Sequence, residues 1–285
     1  MTIRCILFAT DLGVRCDRAL DRALKLATEH AARLVVLHVL QHPDASFDHH
    51  AWRHPTDPLV AARRRVEVDV GNHEHIDIHV LVEQGEPADT ILKVAHQNDC
   101  DLIVTGMARD EAIGRILLGK TVTTLSTLTD VPVLVVKSRP RTAYRNVVVA
   151  TDFSEGSRAG FETALTLFPQ ALITLFHAFD VIYETFMTDK MAARAALQRQ
   201  AMDECEAFIE TTPLAKAAQP KILTICEYGD PGVLLNELVP ERHVDLVVLG
   251  TEGRSGLAGF LLGSSAQRLA TELPADVLLV RRPRS

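Results

Sequence analysis

A dense group of glycines lies between residues 250 and 265, in the segment GTEGRSGLAGFLLGSS. The segment directly follows VDLVVLG, an apolar run with the β-branched character of a buried strand. Glycine adopts positive φ readily and lets backbone N–H groups approach phosphate oxygens closely. A helix that begins near Ser264 would add unpaired N–H groups and the positive end of its dipole. The segment is therefore a candidate phosphate-binding loop, and a set of plain turns is the alternative.

The elements around this loop occur twice in the chain. CILFATDLG near residue 5 returns as VVVATDFSE near residue 147, which aligns Asp11 with Asp152. Further on, CDLIVTG aligns with VDLVVLG, and VPVLVVK aligns with ADVLLVR. Self-similarity over such a distance indicates a duplicated domain. We predict a first copy over residues 1–140 and a second copy over residues 141–285.

Each copy alternates short β-branched apolar runs with longer segments at helical spacing. In the first copy this pattern predicts strands near 3–9, 33–39, 76–82, 101–106 and 132–136, and helices near 14–29, 56–73, 87–97 and 115–128. The order predicts an α/β fold of two tandem, doubly wound, five-stranded parallel-sheet domains of Rossmann-like type. Ligands of such sheets bind at the carboxyl ends of the strands, where the glycine-rich segment lies.

Taken together, these segments resemble the universal stress protein family in a tandem form, with two domains in one chain. The specific part of the resemblance is the signature G-x2-G-x9-G-[ST], which Gly250, Gly253, Gly263 and Ser264 satisfy. Asp152, after the first strand of the second copy, belongs to the same pattern. The resemblance covers nearly the whole chain and implies the Rossmann-like fold shared with the adenine nucleotide alpha hydrolases.

The resemblance implies that the second copy binds ATP, with ADP or AMP as alternatives. The nucleotide could bind with or without Mg²⁺. The phosphates would lie on the backbone of Gly253 and of residues 263–265, and on the Ser264 hydroxyl. The implied nucleotide-binding residues are Ala150, Thr151, Asp152, Ala178, Leu249, Gly250, Gly253, Gly263, Ser264 and Ser265. For Asp152 an N-cap of the following helix is the alternative role.

The first copy departs from the signature. Arg109 takes the place of the second glycine and Lys120 the place of the serine, whereas Gly106 and Gly119 remain. Asp11 and Val39 persist at the positions that match the nucleoside contacts. We expect a degenerate, mainly structural first site. The alternative is that Arg109 and Lys120 bind phosphates through their charge.

A second phosphate-loop pattern is present in the first copy but is not expected to work. Residues 114–121, GRILLGKT, match GxxxxGK[ST]. A true phosphate loop follows its strand at once, whereas Gly114 comes eight positions after Gly106. The interior RILL has helical character, and the equivalent of Gly114 in the second copy is Ala258.

Composition excludes several classes of protein. The net charge of −7 argues against a nucleic-acid binder held by its overall charge. No apolar run reaches the roughly 18 residues of a membrane helix, so we expect a cytoplasmic protein. The five cysteines are scattered without a CxxC pair, which predicts buried thiols rather than disulfides or a zinc site: Cys5, Cys16, Cys100, Cys205 and Cys226.

The remaining histidines and arginines favour structural roles. His42, His49, His50 and His54 share a polar segment, for which a solvated loop is favoured over a metal site. His38 and His177 end equivalent strands and are predicted to be structural. The run from Arg63 to Arg65 is predicted to be an exposed helix face.

The sequence contains no recognisable Ser-His-Asp or Cys-His set, and we assign no catalytic and no metal-ligating residue. We expect a nucleotide-dependent stress-response or regulatory module. A slow ATPase or adenylate-transferring hydrolase is one alternative, and a scaffold assembled through its sheet edges is another. The apolar fifth strands, VPVLVV and ADVLLV, are predicted to pair with each other, which would make the chain an internal pseudo-dimer. Association of two such chains into a homodimer is a further possibility that the sequence leaves open.

Overall fold

The computed structural model describes residues 3–13, 16–41, 57–109, 116–179, 190–213, 221–253 and 262–283. In the first copy the strands are β1 (Cys5–Thr10), β2 (Arg33–Leu40), β3 (Ile78–Gln84), β4 (Leu102–Gly106), β5 (Ala108–Arg109), β6 (Ile116–Leu117) and β7 (Val133–Val136). The helices of this copy are α1 (Cys16–His30), α2 (Pro58–Val70), α3 (Pro87–Gln97) and α4 (Lys120–Leu128).

The second copy repeats this order, without counterparts of β5 and β6 among the described residues. Its strands are β8 (Asn146–Ala150), β9 (Leu172–Phe179), β10 (Ile222–Tyr228), β11 (Leu246–Gly250) and β12 (Asp276–Val280). Its helices are α5 (Glu155–Leu167), α6 (Lys190–Glu210), α7 (Pro231–Glu241) and α8 (Ser264–Glu272).

The main strands form one continuous ten-stranded sheet rather than two separate sheets. Its order is β10-β9-β8-β11-β12-β7-β4-β1-β2-β3, so each copy contributes five adjacent strands. Neighbouring strands within each half are parallel, and the predicted doubly wound α/β fold is confirmed. The two halves meet where β7 pairs with β12 in antiparallel fashion. The predicted pairing of the two fifth strands is therefore confirmed.

The sheet is covered on both faces, which explains why its strands are almost continuously apolar. Alternate residues of β1 enter different cores: Ile6 and Phe8 pack on one side, and Cys5 and Leu7 on the other. The first core is closed by α1, α2, α5 and α6, and the second by α3, α4, α7 and α8. Both cores run across the seam between the copies.

The start of α4 differs from the prediction of a helix near 115–128. The helix begins at Lys120, and β6 pairs with β5 just before it. Gly119 occupies the N-cap of α4 with φ of +73°, a left-handed conformation that separates β6 from α4. A short apolar run carries no decisive period, so RILL fits a strand as well as a helix. Gly114, the first glycine of the phosphate-loop pattern, lies outside the described residues.

Among the described residues, no helix combines the length and the apolar character needed to cross a membrane.

Candidate functional site

The second copy has a cleft at the carboxyl ends of β8 and β11. These neighbouring strands lie at the point where the strand order reverses, which is the expected ligand position in a doubly wound sheet. The cleft encloses about 350 Å³. All ten residues predicted for this site line it: Ala150, Thr151, Asp152, Ala178, Leu249, Gly250, Gly253, Gly263, Ser264 and Ser265.

Gly250 allows α5 to begin directly against the end of β11. A Cβ atom on Gly250 would lie 2.6 Å from the carbonyl carbon of Gly156, in the first turn of that helix. In turn, a Cβ atom on Gly156 would overlap the carbonyl oxygen of Glu252. Only two glycines permit this backbone contact. The first signature glycine thus has a packing role that the sequence pattern does not reveal.

The turn between β8 and α5 holds Asp152. Its Oδ1 accepts a hydrogen bond from the Ser154 amide at 3.1 Å. Ser154 itself is the N-cap of α5, and its Oγ accepts from the Ser157 amide at 3.2 Å. The alternative N-cap role of Asp152 therefore falls to Ser154, because Phe153 adds a left-handed turn with φ of +62° before the helix. Oδ2 of Asp152 lies 3.1 Å from where a Cβ atom of Gly253 would stand.

Thr151 and His177 stabilise this turn through hydrogen bonds. The Thr151 hydroxyl accepts from the Phe153 amide at 2.9 Å and lies 2.9 Å from the Ser157 hydroxyl. Nδ1 of His177 lies 2.8 Å from the Thr151 carbonyl oxygen. Because that oxygen can only accept, Nδ1 carries the proton. His177 therefore has the predicted structural role.

The N-terminus of α8 forms the opposite wall of the cleft. Its N-cap is Gly263, which has no side chain to accept hydrogen bonds from the first-turn amides. Ser264 and Ser265 follow and are exposed at the cleft. Amide donors at a helix N-terminus that lack a capping acceptor attract anions.

Thr251 is a cleft residue that the sequence analysis missed. It is only 3% exposed, and its Oγ1 has no hydrogen-bond partner among the described residues. A buried hydroxyl without a partner is costly unless another molecule satisfies it. The repeat carries a usable signal, since Thr251 aligns with Met107 in the first copy.

The first copy has an equivalent cleft of about 430 Å³. Five of the six residues predicted for the degenerate site line it: Asp11, Val39, Gly106, Gly119 and Lys120. Arg109 contributes its backbone to β5, and its side chain lies outside the described atoms. Met107 and Lys120 line this cleft where the second copy has Thr251 and Ser264.

The acid of the first cleft is engaged differently from its counterpart. Cys16, which aligns with Ser157, donates from Sγ to Oδ1 of Asp11 at 3.0 Å. The same oxygen accepts from the Gly13 amide at 2.7 Å. Burial, together with the Asp11 carboxylate, raises the pKa of the Cys16 thiol to about 11. This cysteine is therefore a neutral donor near pH 7 and no nucleophile.

The other structural predictions are tested by burial and contacts. His38 lies 2.9 Å from the Thr10 carbonyl through Nδ1, as His177 does from Thr151. Residues 63–65 form an exposed face of α2, as predicted. Four of the five cysteines are buried, and none forms a disulfide. His42, His49, His50 and His54 lie outside the described residues. Within the described ranges, no group of three His, Cys, Asp or Glu side chains is placed to bind a metal.

Comparison with known proteins identifies the family. The model of the universal stress protein family matches residues 2–137 and again residues 143–281. A universal stress protein of Mycolicibacterium smegmatis is 25% identical over 303 aligned positions, which cover 97% of this chain and 96% of that protein.

Solved structures support the fold. A protein from Pseudomonas aeruginosa described as a putative universal stress protein superimposes with a TM-score of 0.69 at 18% identity, covering 98% of this chain and 93% of that one. A universal stress protein from Archaeoglobus fulgidus gives a TM-score of 0.64 at 18% identity, covering 98% and 96%. Two successive family matches on one continuous sheet lead to a single conclusion: the chain belongs to the universal stress protein family, as a tandem member.

Proposed function

We propose that the cleft of the second copy binds an adenine nucleotide, ATP or its products ADP and AMP, and that the chain acts as a nucleotide-dependent stress-response or regulatory module. The observation that carries the proposal is the convergence of the ten predicted nucleotide-binding residues on one cleft, next to the Thr251 hydroxyl, which has no hydrogen-bond partner among the described residues. Family membership supports the same assignment.

The phosphate end of the nucleotide is assigned to the wall formed by α8. The first-turn amides and the hydroxyls of Ser264 and Ser265 are donors, and Thr251 supplies a further hydroxyl from the strand side. Glu252, an acid that would repel phosphate, is paired with Arg281, whose Nε lies 3.3 Å from its Oε1. This ion pair reduces the negative potential at the phosphate end.

The nucleoside end is assigned to the strand ends. Ala150 and Ala178 present backbone and small side chains at the carboxyl ends of neighbouring strands. The Asp152 carboxylate is an acceptor for sugar hydroxyl groups. We expect Mg²⁺, when present, to bind through the nucleotide phosphates and water, as this ion commonly does.

Calorimetric titration of the full chain tests this assignment. We expect one equivalent of ATP per chain, bound in the second copy. Gly253→Val should weaken binding at least about a hundredfold, because the side chain would contact Asp152 and fill the phosphate approach. Gly71→Ala is the control for a loss of stability without an effect on the site: its φ of +69° strains an alanine, whereas a Cβ atom there meets nothing within 4 Å and lies outside both clefts, so ATP binding should persist.

Each other outcome points to a defined alternative. Two equivalents of ATP per chain would show that the first cleft also binds. No binding of ATP, ADP or AMP by the folded chain would overturn the proposal in favour of the scaffold. Rapid, substrate-stimulated ATP turnover would identify a hydrolase instead of a binding module.

A further inference from the structure

Two cysteines from distant parts of the first copy lie side by side in the core. Cys5 is the first residue of β1, and Cys100 precedes β4 by two positions. Their Sγ atoms are 3.1 Å apart, although 95 positions separate them in the chain. Both thiols are reduced and buried. The paired strands β1 and β4 hold the two sulfur atoms at this distance.

A guanidinium group lies beside this pair. Nη2 of Arg33 is 3.6 Å from the Cys5 sulfur and donates to the Asn98 carbonyl at 2.9 Å, which fixes its position. The hydrogen bond with Cys100 and the Arg33 charge hold the pKa of Cys5 well below its ordinary value. The pKa of Cys100 is raised by the same hydrogen bond and by burial. One sulfur is thus set to ionise while the other keeps its proton.

The second copy contains another close pair, on which no guanidinium group acts among the described residues. Cys205 of α6 and Cys226 of β10 have Sγ atoms 3.4 Å apart. Burial and the nearby Glu204 carboxylate raise the pKa of both thiols, and Glu227 raises that of Cys226 further. The hydrogen bond with Cys205 lowers the pKa of Cys226, but burial outweighs it and the net shift is upward. The chain therefore carries two close thiol pairs. The first lies beside the Arg33 cation and also beside the Asp101 carboxylate, which raises the pKa of both its thiols, whereas among the described residues only carboxylates act on the second pair.

The first pair also has a route to solvent. Cys100 lines a cavity of about 490 Å³ at the seam between the copies, where Pro132 of the first copy faces Thr163 and Arg281 of the second. Neither Cys205 nor Cys226 lines this cavity. Cys100 lines this cavity and Cys5 does not, so a small oxidant that enters it meets the Cys100 sulfur first and comes within reach of the Cys5 sulfur, 3.1 Å further in, without unfolding of the chain.

We propose that Cys5 and Cys100 form a redox-active dithiol, which hydrogen peroxide converts to a reversible intramolecular disulfide. The ionised sulfur attacks one peroxide oxygen, the O–O bond breaks, and hydroxide leaves a sulfenic acid behind. The second thiol then attacks that sulfur, an S–S bond forms, and water departs. The hydroxide takes up the released proton, so two thiols and one peroxide yield one disulfide and two waters.

The disulfide would join β1 to the segment that leads into β4. The carboxyl ends of these two strands lie at the opposite edge of the sheet from the cysteines, at the first cleft, where Asp11 and Gly106 lie. The first copy, which departs from the nucleotide signature, would thus have a chemistry of its own. The proposal does not depend on nucleotide binding in the second copy.

Peptide mapping of the wild-type chain tests the proposal without any substitution. The reduced protein is treated with hydrogen peroxide at pH 7, free thiols are alkylated at timed intervals, and linked peptides are identified by mass spectrometry. We expect a Cys5–Cys100 link that dithiothreitol reverses. It should form at least about tenfold faster than a Cys205–Cys226 link, the factor that one pKa unit gives in thiolate content. Slower or equal formation would overturn the proposal.

Variants then identify the groups responsible. On non-reducing gels the linked chain should migrate faster, because the bond closes a loop of nearly a hundred residues. Cys100→Ser should abolish this shift, whereas the double variant Cys205→Ser/Cys226→Ser should retain it. Arg33→Met should slow the oxidation several-fold while circular dichroism shows an intact fold. A shift that survives in Cys100→Ser would contradict the assignment, and Cys5→Ser provides the same test if that variant does not fold.

Discussion

Leu134 and Leu278 lie directly opposite each other in the antiparallel pair of β7 and β12. They are equivalent residues of the two copies, and neither side chain is exposed. In the flanking pairs Val135 faces Val277, and Val133 faces Leu279. A pseudo-twofold axis therefore passes through the two leucines and relates one half of the molecule to the other.

The same axis relates two basic residues at the ends of these strands. Lys137 donates from Nζ to the Leu273 carbonyl at 2.7 Å, at the C-terminus of α8. Arg281, its equivalent, donates to the Thr127 carbonyl at the end of α4. Each copy thus caps the last helix of the other, where a cation also interacts favourably with the helix dipole.

Lys137 should make the stability of the chain depend on pH. Burial lowers its pKa to about 8, against an ordinary value of 10.5, and Asp276 opposes this effect. Between these pH values the unfolded chain holds a proton that the folded chain has released, so the free energy of unfolding rises with pH. Relative to Lys137→Met, the wild type should gain on the order of 3 kcal/mol over that range. Urea unfolding of both proteins at pH 7.5, 9 and 10.5 measures the difference. A difference in the free energy of unfolding between the two proteins that stays constant over this range would contradict the prediction.

Asp276 should be a strong contributor to the stability of the seam. It is completely buried and accepts hydrogen bonds from the Lys137 amide at 2.8 Å and the Tyr144 hydroxyl at 2.6 Å. Its Oδ2 lies 3.6 Å from Nε of Arg22, which is also buried. Asp276→Ala would leave that cation without its counter-ion and should cost about 3–5 kcal/mol in denaturant unfolding.

A control aspartate in the same copy tests this attribution. Asp245 accepts from the Arg145 and Asn146 amides, both at 2.9 Å, but no cation pairs with it in the described structure. Asp245→Ala should therefore cost only about 1–2 kcal/mol. Equal losses for Asp245→Ala and Asp276→Ala would show that the buried ion pair contributes nothing of its own.

Thr251→Val should separate stability from binding. The substitution removes a hydroxyl that has no partner among the described residues and keeps the side-chain shape. The free chain should be unchanged or more stable by up to about 1 kcal/mol, whereas nucleotide affinity should fall about tenfold. Thermal unfolding and calorimetric titration measure the two effects.

Thr10→Val is the matched control for that experiment. Its hydroxyl accepts from the Leu12 amide at 3.0 Å and lies in the first copy. The control should lose about 1 kcal/mol of stability and keep full affinity in the second cleft. A loss of stability in Thr251→Val instead would mean that its hydroxyl serves the fold.

Three substitutions should give the first cleft a nucleotide site. Met107→Thr, Arg109→Gly and Lys120→Ser together reproduce the residues of the second copy at the equivalent positions. We expect the stoichiometry of ATP binding to rise from one to two per chain. The triple variant with Gly253→Val should retain a single site, now in the first copy. A stoichiometry that stays at one in the triple variant would show that other residues limit the first cleft.

The repeat made the fold and the cleft predictable. Short β-branched runs define the strands, and alignment of the copies places the glycines at one strand end. The predicted start of α4 near residue 115 was wrong. Ile116 and Leu117 are too short a run to show a period, and the positive φ of Gly119 separates their strand from the helix.

The missed features depend on contacts between distant segments. Thr251 looks like any residue after a strand, and its burial and the missing partner of its hydroxyl among the described residues appear only in the folded chain. The Cys5–Cys100 pair arises from the pairing of β1 with β4. No local pattern encodes either feature. Asp276 did leave a signal, since a charged residue that begins an apolar strand needs buried partners.

The antiparallel seam joins two halves of the same polypeptide, so their association does not depend on protein concentration. A pair of separate subunits could dissociate on dilution and exchange partners, but these halves are permanently matched. One half can accumulate substitutions in its cleft while the other half continues to cover its apolar fifth strand. Every molecule therefore carries the same unequal pair of clefts in a fixed ratio.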